Sequence, residues 1–349
     1  MPRFSGITDG SVLASQNLLV ATTLPKMQRE IVDTFFKQTP FFFWMRSKNR
    51  IRQWSGGESY EARLMYGKNP YASAYNDYEV ANVGPATGFG NAVYQRAKYR
   101  VPIMYAGSTL DANSGDAAIA NLVEDLKTQA QKSLVDLING DFLNSQVGDS
   151  AVDFSKITSL YRIIERELET DQEQIIGGIA KDKNGTYPFW YNQYTSHAGT
   201  ATNLLPDIRK NAIACADGTD GPDLGLCDET TYAKLEDQAF AKRYFTNADV
   251  ADFGFQNVLY NGCTYMLEKG VTNDDDNDGT ANESTEGSVF HINSKYLFLA
   301  VSPGYNFKVI APQYDPMQDL WIGFIYVHLQ AIATNLQRQG VVKGTAYTA

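Results

Sequence analysis

Cysteine and histidine are scarce, with three of each in 349 residues. Cys215, Cys227 and Cys263 form no CxxC pair, and so few histidines leave no tetrahedral zinc set. An odd number of widely spaced cysteines fits reduced thiols made in a cytoplasm, not a disulfide framework. No basic segment followed by an apolar core opens the chain, whose longest early apolar run is residues 18–21. The later run at 320–327 is far shorter than the roughly 20 residues of a membrane-spanning helix. The expectation is a soluble protein assembled inside a cell, with no membrane partner. Patterns of the GxSxG, HExxH, P-loop and GxGxxG types are absent. So are solenoid-period repeats and any Pro/Ser-rich linker. An enzyme is not expected, and no cofactor is implied.

Aromatic residues, by contrast, are plentiful: 21 Tyr, 18 Phe and 4 Trp in a chain that is 43% apolar. That content supports a real core and excludes disorder throughout. Charge is unevenly placed. Residues 1–110 hold 13 Lys/Arg against 7 Asp/Glu, a balance of +6, and residues 111–349 hold 17 against 33, a balance of −16. A basic arm and an acidic body can attract each other between copies and set register, or the charges are ordinary solvated scatter.

Tyr94 to Leu143 is the most informative stretch. A strand-like arm passes through a polar turn into a long amphipathic helix. Ile119, Leu122, Val123, Leu126, Ala130, Leu134, Leu137 and Ile138 fall on one helical face. Asn113 or Ser114 can cap its start, with Asp116 against the positive dipole end. Gly140 ends it, or it runs on toward Leu143. Such a helix is roughly 40 Å long. Before it, residues 51–67 and 91–107 read as two long β arms around a Gly-, Asn- and Tyr-rich tip. Each arm alternates only loosely, and a hairpin of that kind is marginal alone in water. A second copy of the chain is the economical support.

Elsewhere, residues 1–23 read as an extended arm, and 24–38 has helical character. Arg46, Lys48, Arg50 and Arg52 alternate along a predicted strand edge. Residues 203–216 and 229–240 read as helices; 221–228, 254–270, 288–302 and the apolar start of 319–342 read as strands. Three possible sites remain. Asp274, Asp276 and Asp278, with Gly279, match the first half of a calcium loop. Thr285 stands where the bidentate acid belongs, so a solvated acidic loop is the alternative. The carboxylates of 165–173 can pair for glycoside hydrolysis or line the wet face of a helix. The four alternating cations can touch DNA phosphates or form a salt-bridge ladder with an acidic neighbour. A net charge of −10 excludes a sequence-specific nucleic-acid reader.

Taken in order, several segments resemble the major capsid proteins of tailed bacteriophages, with their Hong Kong 97-type coat fold. These are the arm ending YRVPIMYAGSTLDAN, the helix IANLVEDLKTQAQKSLVDLINGDFL, GGIAKDKNGTYPFWYNQ, GFQNVLYNGCTYM, FHINSKYLFLAV and VHLQAIATNLQRQGVV. The similarity covers roughly residues 45 to 345. It implies an α+β subunit with an N-terminal arm (1–50), an extended loop (51–105), a peripheral domain with the long helix (106–180), an axial domain (181–317) and a return to the peripheral domain (318–349). It further implies hexamers and pentamers closing an icosahedral shell around double-stranded DNA, in a virion assembled in a bacterial cytoplasm. Genome entry would expand the shell and re-seat the loop on its neighbour. Scaffolding and portal proteins would take part in assembly, with a cement protein as a further possible partner. Only about 45 residues precede the loop, so the expectation is an uncleaved subunit with a separate scaffold. The loop and its flanks would supply inter-subunit contacts: Arg46, Lys48, Arg50, Arg52, Lys68, Tyr71, Tyr75 and Tyr78. Lys68 sits where a cross-linking lysine can stand, yet no Asn is paired with it. The same resemblance admits an encapsulin-like compartment shell; a glycan-active enzyme is the remaining alternative.

Overall fold

The computed structural model describes residues 40–54, 56–85, 88–112, 122–143, 155–197, 203–242, 257–268, 270–271, 287–315, 317 and 319–344. In chain order these form helix α1 (Pro40–Ser47), strands β1 (Ile51–Gln53), β2 (Ser59–Met65), β3 (Phe89–Gln95) and β4 (Ala97–Ala106), then helices α2 (Gly107–Ala112), α3 (Leu122–Leu143) and α4 (Leu160–Ile163). There follow β5 (Ile175–Ile176), β6 (Ile179–Ala180), β7 (Gln193–Ser196), α5 (Leu205–Cys215), β8 (Leu224–Cys227) and α6 (Glu229–Lys242). The last strands are β9 (Asn257–Tyr260), β10 (Cys263–Leu267), β11 (Ser288–Ile292), β12 (Leu297–Val301), β13 (Lys308–Asp315), β14 (Leu320–Ala333) and β15 (Gly340–Lys343). Helices and strands mix along the chain without a repeating βα order, so the class is α+β.

The chain divides into two compact units. The described residues of one come from Tyr99–Leu137 and Gly304–Val327. Here β13 pairs antiparallel with the first half of β14, with a register shift between Ile310 and Gln313. Trp321 stacks with Tyr105 at 6.3 Å and lies 5.5 Å from Tyr314.

The other unit comprises Gln38–Lys98, Ile138–Pro303 and His328–Ala349. Its centre is a six-stranded sheet in the order β7-β15-β11-β8-β10-β9. Every residue of β8 and β11 is buried, as expected where both faces of a sheet are covered. On one face, Leu205 and Ile208 of α5 and Tyr232 and Leu235 of α6 pack with Cys227, Tyr265, Val289 and Val342. On the other, Tyr161 meets Phe290 edge-on at 5.0 Å. Gly225 is dictated by packing: a Cβ there would run into the Tyr265 ring. Segment 254–270, read as one strand-like run, instead holds a hairpin. Asn261 and Gly262 both have positive φ and link Tyr260 to its partner Cys263, the mirror-image two-residue turn that Asn-Gly favours.

Two expectations change. Helix α3 passes through Gly140 and ends at Leu143, the second of the two ends expected, and its described 22 residues span about 33 Å. Ala130, Leu134, Ile138 and Phe142 are buried, whereas Leu137 is 49% exposed. Steps of four advance the buried stripe by about 40° each, which leaves Leu137, only three past Leu134, off its edge. The predicted start of this helix (Asn113, Ser114, Asp116 and Ile119) lies outside the described residues. In β14 the enclosed half is the second, Leu329–Ala333, while the more apolar first half alternates between half-buried and buried. The three cysteines are free and buried, as the spacing implied.

His291 sits at the heart of the large sheet. Its Nδ1 is 2.7 Å from Asn211 Oδ1 and its Nε2 2.9 Å from the Tyr265 hydroxyl. Because Asn211 Nδ2 already donates to Thr195 and Val341, Oδ1 accepts, and the ring carries its proton on Nδ1. Burial pushes the ring down to about pKa 3 from 6.5. As pH falls from about 6.5 to about 3, the unfolded chain therefore takes up a proton that the folded chain refuses. Stability present above this window is lost through it, with a slope of up to about 1.4 kcal/mol per pH unit for this group. Urea unfolding of wild type and His291→Gln across the window checks it; equal slopes would refute the assignment.

Candidate functional site

Among the described residues, no group of His, Cys, Asp or Glu is placed to hold a metal ion. No helix there is long and apolar enough to cross a membrane. The acidic loop with Asp274, Asp276 and Asp278 lies outside those residues. The 165–173 carboxylates do not form a helical wet face, because α4 stops at Ile163. Glu165 is buried against Lys181, and Glu169 pairs with Lys183. What the structure offers instead is a surface.

That surface is the β2–β3 hairpin. Its seven residue pairs run without a break from Ser59↔Gln95 to Met65↔Phe89. The predicted arms are in fact four strands: β1 leaves to pair in parallel with β12, and β4 pairs with β14. Burial alternates from Tyr60 to Met65 and along β3, a cleaner pattern than the loose reading of the arms. Ala62, Leu64, Ala92 and Tyr94 are buried, because a period of two puts every second side chain on one face. The base therefore has its own intrachain support. Tyr94 donates its hydroxyl proton to Ala333 O at 2.6 Å. Val93 N–H donates to Gly177 O at 2.8 Å. Gly177 and Gly178, both at positive φ, form the two-residue turn between β5 and β6. That turn seats its glycine against Ala92 and the Tyr94 ring.

The opposite face and the tip carry the exposed apolar groups. Met65 and Phe89, a cross-strand pair, are 77% and 73% exposed, and Tyr75, Tyr78, Val80 and Val83 are bare. Of the predicted contact residues, Lys68, Tyr75 and Tyr78 are exposed, whereas Tyr71 is half-buried with its ring on Gly84. Short local bonds shape the tip: Asn69 Oδ1 accepts from Tyr71 N–H at 2.9 Å, and Glu79 Oε2 from Asn76 N–H at 3.1 Å. Tyr66, at the root of the tip, stacks on Phe189 at 4.3 Å and 5°.

The four cations do not alternate along one strand edge. Arg46 lies in the last turn of α1, and Lys48 and Arg50 follow the helix; only Arg52 is on β1. The buried aromatic face of α1 extends the helix through Arg46, which removes the expected strand. Lys48 lies 4.6 Å over the Trp44 ring and Arg52 3.9 Å over Phe298. Arg96, which sequence reasoning did not single out, sits 4.5 Å over Trp54. Trp54, Tyr60 and Phe298 follow one another edge-on at 5.6 and 6.1 Å. Arg96 and Arg52 thus close the two ends of one aromatic row. Nothing in the local sequence pattern signals it, since its members come from three strands and two connecting residues.

No family model matches the chain, and no curated protein matches it. Solved structures do. The chain is similar to the capsid asymmetric unit of cyanophage A-1(L), at 14% identity and a TM-score of 0.62 over 98% of this chain and 99% of that one. It is similar to the holo-SrpI encapsulin complex of Synechococcus elongatus, at 10% identity and a TM-score of 0.58 over 99% of both. The capsid of a native GTA particle gives 13% identity and a TM-score of 0.55, over 98% of this chain and 100% of that one. At such identities the likeness is one of fold, and the fold is the Hong Kong 97-type coat fold.

The glycine turn gives a direct check on the anchoring of the hairpin. A Cβ at Gly177 would lie 2.7 Å from the Ala92 Cβ, whereas one at Gly178 would meet nothing within 4 Å. Both substitutions to Ala carry the left-handed backbone cost of roughly 1–2 kcal/mol; only Gly177→Ala adds an overpacking cost of about 1–3 kcal/mol. Gly177→Ala is thus expected to lower the urea midpoint more than Gly178→Ala, and equal midpoints would contradict the docking.

Proposed function

We propose that this chain is the repeating subunit of a closed protein shell. The observation that carries the proposal is the end-to-end likeness of the chain to shell subunits, over 98–99% of its length. The hairpin supports it. Its base is buried within the chain while Met65, Phe89, Tyr75, Val80 and Val83 remain bare. An exposed apolar set of that kind marks an interaction surface. A shell subunit repeats heterologous contacts that close into rings, and obligate interfaces of this sort bury on the order of 2,000 Å² or more.

In the finer reading the shell is an icosahedral phage capsid of hexamers and pentamers around double-stranded DNA. It would assemble in a bacterial cytoplasm with scaffolding and portal proteins, and a cement protein could join it. DNA would be held without sequence specificity, since contacts of that kind run through phosphates. The subunit acts by rearrangement and not by turnover, so no catalytic role is assigned. The encapsulin likeness, as complete in coverage as the capsid one, keeps a second reading in play: a compartment shell around a protein cargo. Nucleic acid in purified particles supports the first, and a co-purifying enzyme supports the second.

Negative-stain microscopy of the expressed chain, with and without its genomic neighbours, is expected to show closed particles. The triple variant Tyr75→Ser, Val80→Ser, Val83→Ser should keep the wild-type circular dichroism spectrum and lose at least about tenfold in particle yield, as expected when apolar interface anchors are removed. A folded chain that stays monomeric under every condition would overturn the shell reading.

A further inference from the structure

Between α4 and β7 the chain has almost no regular structure, yet it buries a complete set of reacting groups. Lys181 is 1% exposed, Glu165 4% and Asn192 0%. Lys181 Nζ lies 3.0 Å from Asn192 Oδ1 and 3.5 Å from Glu165 Oε2. The Asn192 amide is held from both sides by one residue: Glu165 N–H donates to Oδ1 at 2.9 Å, and Glu165 O accepts from Nδ2 at 2.9 Å. This two-point reading fixes which end of the amide is oxygen. Gln172 clamps the Asn192 backbone through bonds of 3.0 Å to its N–H and its carbonyl. The Glu165 carboxylate is itself oriented by the N–H groups of Glu173 and Gln174, at 3.2 and 3.3 Å.

We propose that Lys181 and Asn192 condense into an isopeptide bond within the chain, with Glu165 carrying the proton. The Nζ lone pair attacks Cγ, one bond beyond the oxygen it already touches. Charge develops on Oδ1, where the Glu165 N–H waits, as in an oxyanion hole. Glu165 takes a proton from Nζ and passes it toward Nδ2. The Cγ–Nδ2 bond breaks and ammonia leaves. An amine and a primary amide become a secondary amide and ammonia, with no oxidant or reductant required.

The site meets the two demands of such a step. The partners are already held in contact, which removes most of the entropic barrier. The amine must be neutral, and burial lowers the Lys181 pKa to about 8, against the opposing pull of Glu165, with Arg162 adding a further lowering. About one amine in ten is then neutral at pH 7, and a desolvated lysine is an effective nucleophile. The bond is independent of the shell reading: it lies inside one subunit, far in sequence from the hairpin-tip Lys68, and it joins no neighbour.

Intact-mass spectrometry of the denatured full-length chain tests the proposal. Wild type is expected to be lighter than its sequence by one ammonia. Trypsin should then fail to cut after Lys181 and release residues 167–183 joined to 184–209. Conversion of freshly made chain should speed up between about pH 6 and pH 9, as the neutral amine grows. Glu165→Gln and Lys181→Arg should keep the full sequence mass. Wild type that retains its full mass after long incubation at about pH 9 overturns the proposal, a result that does not depend on any variant folding. Ammonia loss confined to the 184–209 peptide, with cleavage after Lys181 intact, overturns it too, because that is ring closure of an asparagine of that peptide (Asn184, Asn192 or Asn203) onto its own backbone.

Discussion

A buried lysine organises a stretch of this molecule that has almost no regular secondary structure. From Glu165 to Asn192 the described chain contains only the four residues of β5 and β6 in regular elements. Such a segment would expose backbone polar groups unless something else satisfied them. Lys181 holds Glu165 and Asn192, Glu165 holds the backbone of 173 and 174, and Gln172 holds that of 192. A buried charge is tolerated only when it is paired and fully hydrogen-bonded, and breaking one partner leaves the others uncompensated. The polar core therefore works as an all-or-none clasp, replacing the ladder that a sheet would provide.

The clasp reaches the surface through the Gly177–Gly178 turn. Lys181 N–H bonds to Gln174 O, and Val93 N–H to Gly177 O, so the polar segment on one side and the β2–β3 hairpin on the other meet at one two-residue loop. This arrangement separates two roles along a single hairpin. The base is fixed by alternation, by the Tyr94 hydroxyl on Ala333 and by glycine packing. The tip makes only short local bonds and keeps its apolar side chains in solvent. A rigid root with an unsatisfied end suits a part whose remaining burial comes from another chain.

Much of the architecture was legible from residues. The helices at 205–215 and 229–242 lie where periodicity put them, because each has one face on a local core, and the strand at 224–227 lies where it was read, although it is buried on both faces. The Gly-Gly and Asn-Gly turns were chemically marked, since both need the left-handed backbone that these residues accept most readily. Less visible was the division of the predicted arms into β1 through β4. Strand propensity is local, while the choice of partner, β12 for one and β14 for another, is a matter of distant chain. The cation series 46–52 misled for a related reason: alternation of charge resembles a strand edge, but the apolar face of α1 wins over it. The stripe of α3 slipped past Leu137 because its buried positions advance in steps of four, which leaves a residue three past Leu134 off the edge.

By itself, then, the sequence determined most element types, the absence of a disulfide framework, the reduced state of the cysteines and the resemblance to coat proteins. These depend on short-range patterning that every window of the chain carries. Only the tertiary structure decided that Lys181, Glu165 and Asn192 meet, that Arg96 and Arg52 close one aromatic row, and that the hairpin is anchored at its root and bare at its tip. Those facts join residues tens to hundreds of positions apart, and no local periodicity records which of them the fold will bring within 3 or 4 Å.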